Sequence, residues 1–297
     1  MNANFILDER WLINSLIVAN SSIDIMENIA DLIDDINENL NSSILCSSNI
    51  YEKECANQQL CDVLFGDLSR NPISRDVLLR LSAKLDAMEK VNIKIDENTD
   101  SDALIILKDY GSGALLFNED ITIDWWNPKS MMVVDIKNKI KTYYRILSVN
   151  EMISYSDLTI HLKDLFPSLY FLPDAKDFSK LGVPHDSCFP TIINHLSYLN
   201  DFARDHYLED RNSFNRTASS HGIDLSGESS NTRANNRASR ERIRTIENTE
   251  LRFELHTKVT WNKGRIHFHI GNNLPESVSK ITDDKIIIGI VCEHLST

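Results

Sequence analysis

Apolar residues recur at Ile25, Ile29, Leu32, Ile36 and Leu40, with Met26 and Ile33 beside them. That spacing puts one apolar stripe on a helix starting at Ser22, and the intervening Asp and Glu residues form its solvated face. Val77, Leu78, Leu81, Leu85 and Met88 predict a second helix over SRDVLLRLSAKLDAMEKV, with Ser74 as its cap. Between the two lies the short apolar stretch QLCDVLFG, where Cys61 reads as a small buried hydrophobe.

After residue 100 the period shortens. ALIILKDYG, MMVVDIKN and TYYRILSV are rich in β-branched or aromatic residues and predict strands. The pair Trp125–Trp126 is expected to be buried near a strand end. A helix follows Ser156, LYFLPDA predicts a further strand, and Pro190 opens a helix carrying His195 and His206. Residues 209–246 are rich in Ser, Asn and Arg and poor in large apolar side chains, so they predict a flexible low-complexity linker.

The final stretch alternates. ELHTKVTW and RIHFHIG flank a turn near Asn262–Lys263–Gly264, and KIIIGIVC is a continuous apolar run suited to a third, buried strand. The expectation is therefore an α+β protein. Residues 1–208 form a mixed domain, helical over 1–95 and with strands and helices over 100–208; 209–246 link it to a C-terminal antiparallel meander over 247–297.

Parity concentrates the chemistry. Glu254, His256 and Lys258 share one face of the first strand, and Arg265, His267 and His269 share one face of the second. A two-residue loop at Asn262–Lys263 or Lys263–Gly264 brings all six to one side, with Lys258 opposite His267 or His269. The reverse side then carries Leu255, Thr257, Val259, Trp261, Ile266, Phe268 and Ile270. His294, just past the third strand, is placed to reach the same surface.

Metal-free RNA cleavage needs a base for the 2′-hydroxyl, an acid for the leaving oxygen and cations for the transition-state charge. Glu254 or His256 suits the base, His267 or His294 the acid, and Lys258 and Arg265 the cations. His269, Lys263, Arg252 and Arg244 are the nucleic-acid contacts expected around them. This chemistry requires no cofactor and no metal. A competing reading puts zinc or iron on the H-x-H pair with Glu254 and His256. A third is a solvated sheet face without chemistry.

Charge divides along the chain. The 297 residues carry 44 Asp plus Glu against 31 Lys plus Arg, a net charge of −13. Residues 231–297 nevertheless hold +3, leaving −16 on residues 1–230. RNA is therefore the partner expected for the C-terminal part, and a partner protein for the acidic N-terminal domain. Five cysteines without a CxxC pair argue against a disulfide framework or thiolate zinc module. The opening MNANFILDERWLINSL does not read as a signal peptide, and no apolar run is long enough to span a membrane, so a cytoplasmic protein without membrane attachment is expected. Walker A, Rossmann glycine, HExxH and GxSxG patterns are absent from the sequence.

The strand–turn–strand–strand block with basic residues and a terminal histidine resembles the RelE-like mRNA-interferase toxin fold. The resemblance implies metal-free endoribonuclease activity with Lys258, Arg265, His256, His267, His294 and Glu254 in the catalytic parts. The E-x-H-x-K, RIHF and HL elements also resemble uncharacterised bacterial proteins associated with phage-defence loci. That likeness implies an antiviral effector, or a non-enzymatic subunit of a defence complex that holds nucleic acid or nucleotide.

Overall fold

The computed structural model describes residues 2–17, 22–38, 42–55, 57–66, 75–93 and 101–297. They fall into two compact units, 1–150 and 151–297. Among the described residues no helix is long and apolar enough to cross a membrane.

The first unit runs β1 (Ala3–Leu7), α1 (Glu9–Ile17), α2 (Ser22–Asn37), β2 (Ser42–Ser47), β3 (Glu54–Cys55), β4 (Gln58–Gln59), α3 (Leu60–Phe65), α4 (Arg75–Ala87), β5 (Glu89–Val91), α5 (Asp102–Tyr110), β6 (Gly113–Leu116), β7 (Met131–Val134) and α6 (Lys137–Asn150). Five strands form one parallel sheet in the order β5-β2-β1-β6-β7. This is a doubly wound arrangement whose order reverses between β1 and β6. The buried faces of α2 and α4 are those the spacing predicts, with Met26, Ile29, Leu32, Ile33 and Ile36 on one and Val77, Leu78, Leu81, Leu85 and Met88 on the other. Leu40 and the cap at Ser74 lie outside the described residues.

Two expected strands are helices. ALIILKDYG is α5, because Ser101 accepts a hydrogen bond from the Leu104 amide and Gly111 closes the C-terminus at φ +69°. TYYRILSV lies in α6, where Ile140, Tyr143, Tyr144 and Leu147 make a helical stripe. Phe5 on the central strand meets Tyr143 edge-on at 5.4 Å between ring centroids. Trp125 and Trp126 are half-buried in a turn rather than at a strand end.

Two carboxylates follow β1, and both are engaged. Asp8 holds Arg10 through Nε to Oδ1 at 3.0 Å and Nη2 to Oδ2 at 2.6 Å. Glu9 accepts the Asp102 and Ala103 amides at 2.6 and 3.2 Å, so it caps α5. Burial, with Asp8 beside it, pushes the Glu9 carboxyl above its usual range.

The second unit runs α7 (Tyr155–Leu165), β8 (Leu169–Phe171), α8 (His185–Asp201), α9 (Ala203–Glu209), α10 (Phe214–Ser220), β9 (Leu225–Ser226), α11 (Ser230–Ala234), α12 (Asn236–Glu241), β10 (Ile243–Ile246), β11 (Thr249–Arg252), β12 (Leu255–Lys258), β13 (Arg265–His269), α13 (Glu276–Thr282) and β14 (Ile286–Cys292). Its sheet is ordered β8-β14-β13-β12-β9, antiparallel except for the β8–β14 pair. The α+β class and the C-terminal antiparallel sheet stand. The expected division at 208 does not, because β8 pairs with β14 and carries residues 151–208 into the C-terminal unit. Nor is 209–246 a flexible linker. It folds as α10, β9, α11, α12 and β10, anchored by buried Phe214, Ala218, Ile223, Leu225, Ala238 and Ile246. Pro190 sits inside α8, and His206 falls on α9.

One register shift shapes the sheet. His267 faces Ile290 and Phe268 faces Ile288, which leaves Gly289 as the extra residue of a β-bulge in β14. The Phe253 ring rests on that glycine, in the space a Cβ would take. A Gly289→Ala substitution should therefore destabilise the second unit by about 1–3 kcal/mol through overpacking, read as a lower urea midpoint. An unchanged midpoint would mean that Phe253 does not pack there.

His195, buried in α8, has an Nδ1 without a hydrogen-bond partner. Burial pushes its pKa down to about 4, against a smaller opposing pull from Asp224. An unfolded histidine titrates near 6.5, so its contribution is intact above that pH and is lost as pH falls towards 4. The loss by pH 4 should be about 3 kcal/mol. In His195→Leu the unfolding midpoint should fall less steeply over that range; an identical pH profile in both proteins would count against a neutral buried imidazole.

Candidate functional site

β12 and β13 pair with His256 opposite His267 and Lys258 opposite Arg265. The Val259 amide donates to the Gly264 carbonyl at 2.9 Å and the Thr260 amide to Lys263 at 3.1 Å, so the loop is Trp261–Asn262. This is one residue earlier than the Asn262–Lys263 loop and two earlier than Lys263–Gly264, and Lys258 therefore meets Arg265 rather than His267 or His269. Parity is the same in every such register, so Glu254, His256, Lys258, Arg265, His267 and His269 do belong to one side of the hairpin.

That side is roofed. His267 is 1% exposed, Arg265 6% and His256 9%. Glu228, after β9, and Arg242, after α12, are buried over the imidazoles. Glu228 Oε1 lies 2.7 Å from Arg242 Nε and 3.4 Å from His256 Nδ1. Arg242 Nη1 also donates to the carbonyls of Ala238 at 2.7 Å and Ser296 at 2.9 Å. The other ring nitrogen of His256 is 3.1 Å from Ser226 Oγ. The two imidazoles lie 4.8 Å apart between centroids. Burial holds the His256 pKa down to about 4 against the pull of Glu228. Burial, then the neighbouring His256, pushes His267 well below the histidine range. Neither is the protonated general acid that the sequence suggested for His267 at neutral pH.

The phosphate-stabilising cations are also occupied. Arg265 Nη1 donates to the carbonyls of Thr260, Lys263 and Gly264 at 3.0, 3.0 and 3.2 Å, and Nη2 to Trp261 at 3.1 Å. Its guanidinium is a clamp on the hairpin loop. Lys258 pairs with Asp224 at 3.1 Å, and Lys263 with Glu293. His269 Nδ1 accepts the Gly271 amide at 3.0 Å, and burial lowers its pKa. Arg244 donates to its own segment's carbonyls at Glu241 and Ile243. His294 is exposed beyond β14, and among the described residues no hydrogen bond or ion pair joins it to Lys258 or Arg265.

What the fold gathers instead is a tight cleft on the roof, with no room for a water molecule between its walls. Arg233, Arg242 and Arg252 line it with Glu228 and Glu254. Arg233 Nε meets Glu254 Oε2 at 2.9 Å, and Arg252 Nη1 donates to Ser239 Oγ at 3.3 Å. Of the sequence candidates, only Glu254 and Arg252 line it, with buried His256 beneath Glu228. Glu228 escaped the sequence reading, and Arg233 and Arg242 read as a solvated tether rather than as phosphate contacts, because all three sit in the segment taken for a linker. The signal was present in the apolar positions Ala238, Ile243 and Ile246 among the arginines.

No family model, curated protein or solved structure matches this chain.

If Arg265 is a loop clamp, Arg265→Leu should cost about 1–3 kcal/mol of stability, since four loop carbonyls, that of Gly264 buried, lose a charged donor. Arg265→Lys should not restore it, because an ammonium cannot span the same fork. A variant as stable as the parent in urea would return Arg265 to the list of free cations.

Proposed function

We propose that the C-terminal unit is an RNA-directed effector, an endoribonuclease of the toxin or phage-defence type. The observation that supports this is the lining of the cleft: three guanidinium groups from the net-positive residues 231–297 of an acidic chain, with Glu228 and Glu254 beside them. Arg233 and Arg252 are exposed and suit phosphate oxygens, which guanidinium groups bind in bidentate fashion. Glu254 stands beside Arg233 at the mouth and is the base for the 2′-hydroxyl once Arg233 turns to the phosphate, and solvent water supplies the proton to the leaving 5′-oxygen as the P–O5′ bond breaks. Arg242 pairs with Glu228 beneath them at 2.7 Å. Lys258 and Arg265 are not part of this mechanism, since Asp224 and the hairpin loop hold them.

Incubation with labelled RNA, with and without chelator, tests the reading. Products should end in 2′,3′-cyclic phosphate, and Glu254→Gln should cut the rate by about 100-fold or more. Arg233→Ala and Arg252→Ala should each reduce the salt slope of RNA binding by about 1. No binding at low salt would overturn the proposal. Binding without cleavage would replace the nuclease with a non-enzymatic holder of nucleic acid.

A further inference from the structure

Beneath the cleft, we propose that Glu228, His256 and His267 form a binding site for one divalent transition ion, zinc by its donor set. The inference concerns binding and stands apart from RNA cleavage.

One donor atom from each of the three side chains lies within 4.8 Å of the others. Hydrogen bonding fixes which atoms are free. His267 Nδ1 lies 3.0 Å from the Phe253 carbonyl, which can only accept, so Nδ1 carries the proton and Nε2 keeps its lone pair. That Nε2 is buried and has no hydrogen-bond partner, on a side chain 1% exposed. A buried acceptor left unsatisfied is costly, and a cation removes the cost. His256 is arranged the same way in mirror order: Ser226 Oγ takes one ring nitrogen at 3.1 Å and the other turns to Glu228.

Metal-binding histidines are characteristically oriented by an oxygen on the nitrogen that does not ligate, and both of these are. The carboxylate has an outer partner too, in Arg242 at 2.7 Å. The two atoms form an ion pair without a hydrogen bond, so the lone pairs of Glu228 Oε1 remain open to an ion. Two imidazoles and a carboxylate suit zinc, with one tetrahedral position left for water. Glu228 belongs to both the triad and the cleft wall. Without an ion, the 3.4 Å His256–Glu228 contact is long and His267 Nε2 has nothing.

The test uses the full chain, stripped with chelator and then titrated with Zn²⁺ alone, Co²⁺ alone and Mg²⁺ alone, without RNA. Elemental analysis after desalting should find about one zinc per chain. Co²⁺ should give the intense visible bands of a tetrahedral site, and Mg²⁺ should not be retained. His256→Gln, His267→Gln and Glu228→Gln should each lose the cobalt bands and the zinc-induced rise in melting temperature. Failure of the parent chain to hold stoichiometric zinc overturns the proposal, whether or not the variants fold. So does zinc retained undiminished in all three variants, which would locate the ion elsewhere. Because RNA is absent, neither result bears on nuclease activity.

Discussion

A buried charge must be neutralised where it lies, and the second unit is organised around that requirement. Folding the hairpin beneath its own upstream segment takes Glu228 and Arg242 out of water together, at 2.7 Å from one another. Removing either would leave the other uncompensated in the interior. The same pair explains why a Ser-, Asn- and Arg-rich stretch is ordered. Arg242 ties α12 to the chain's last residues through Ser296, while Glu228 ties the end of β9 to His256. Phe253 completes the arrangement: its ring occupies the notch at Gly289 and its carbonyl fixes the tautomer of His267. Packing and polar chemistry are therefore set by one residue of backbone.

What the sequence made legible follows from the two periodicities. A helical stripe gave α2 and α4 with their buried faces, and strict alternation gave β12 and β13 with the correct parity. Where apolar residues ran together, in ALIILKDYG and TYYRILSV, the run alone did not distinguish helix from strand; Ser101 and Gly111 were the cues that resolved the first. Parity also had a limit of its own. It told which side of the hairpin each residue takes, but not what covers that side. The roof comes from residues close in space and up to about 40 positions away in the chain, a long-range contact that no local pattern encodes.

The outcome is a two-level arrangement. The outer level is cationic and accessible, with Arg233 and Arg252 at the mouth of a cleft. The inner level is imidazole, enclosed and oriented by a serine hydroxyl on His256 and by a backbone carbonyl that fixes the tautomer of His267. Glu228 belongs to both. The basic hairpin residues that looked like catalytic cations do other work: Arg265 closes a turn, and Lys258 and Lys263 pair with carboxylates on neighbouring segments. Composition singled out this region of the chain but not the contacts its individual residues make.

The strand order of the first unit bears on how the chain is made. β1 is the central strand, yet it leaves the ribosome before either neighbour, and its partner β6 follows more than 100 residues later. At about 5–20 residues per second this means a wait of roughly 5–20 seconds. Until then Phe5, Ile6 and Leu7 have no completed sheet in which to hide. The nascent segment thus presents an apolar strand to whatever chaperone or early-formed helix can shield it, and α1 and α2, synthesised next, are the nearest cover.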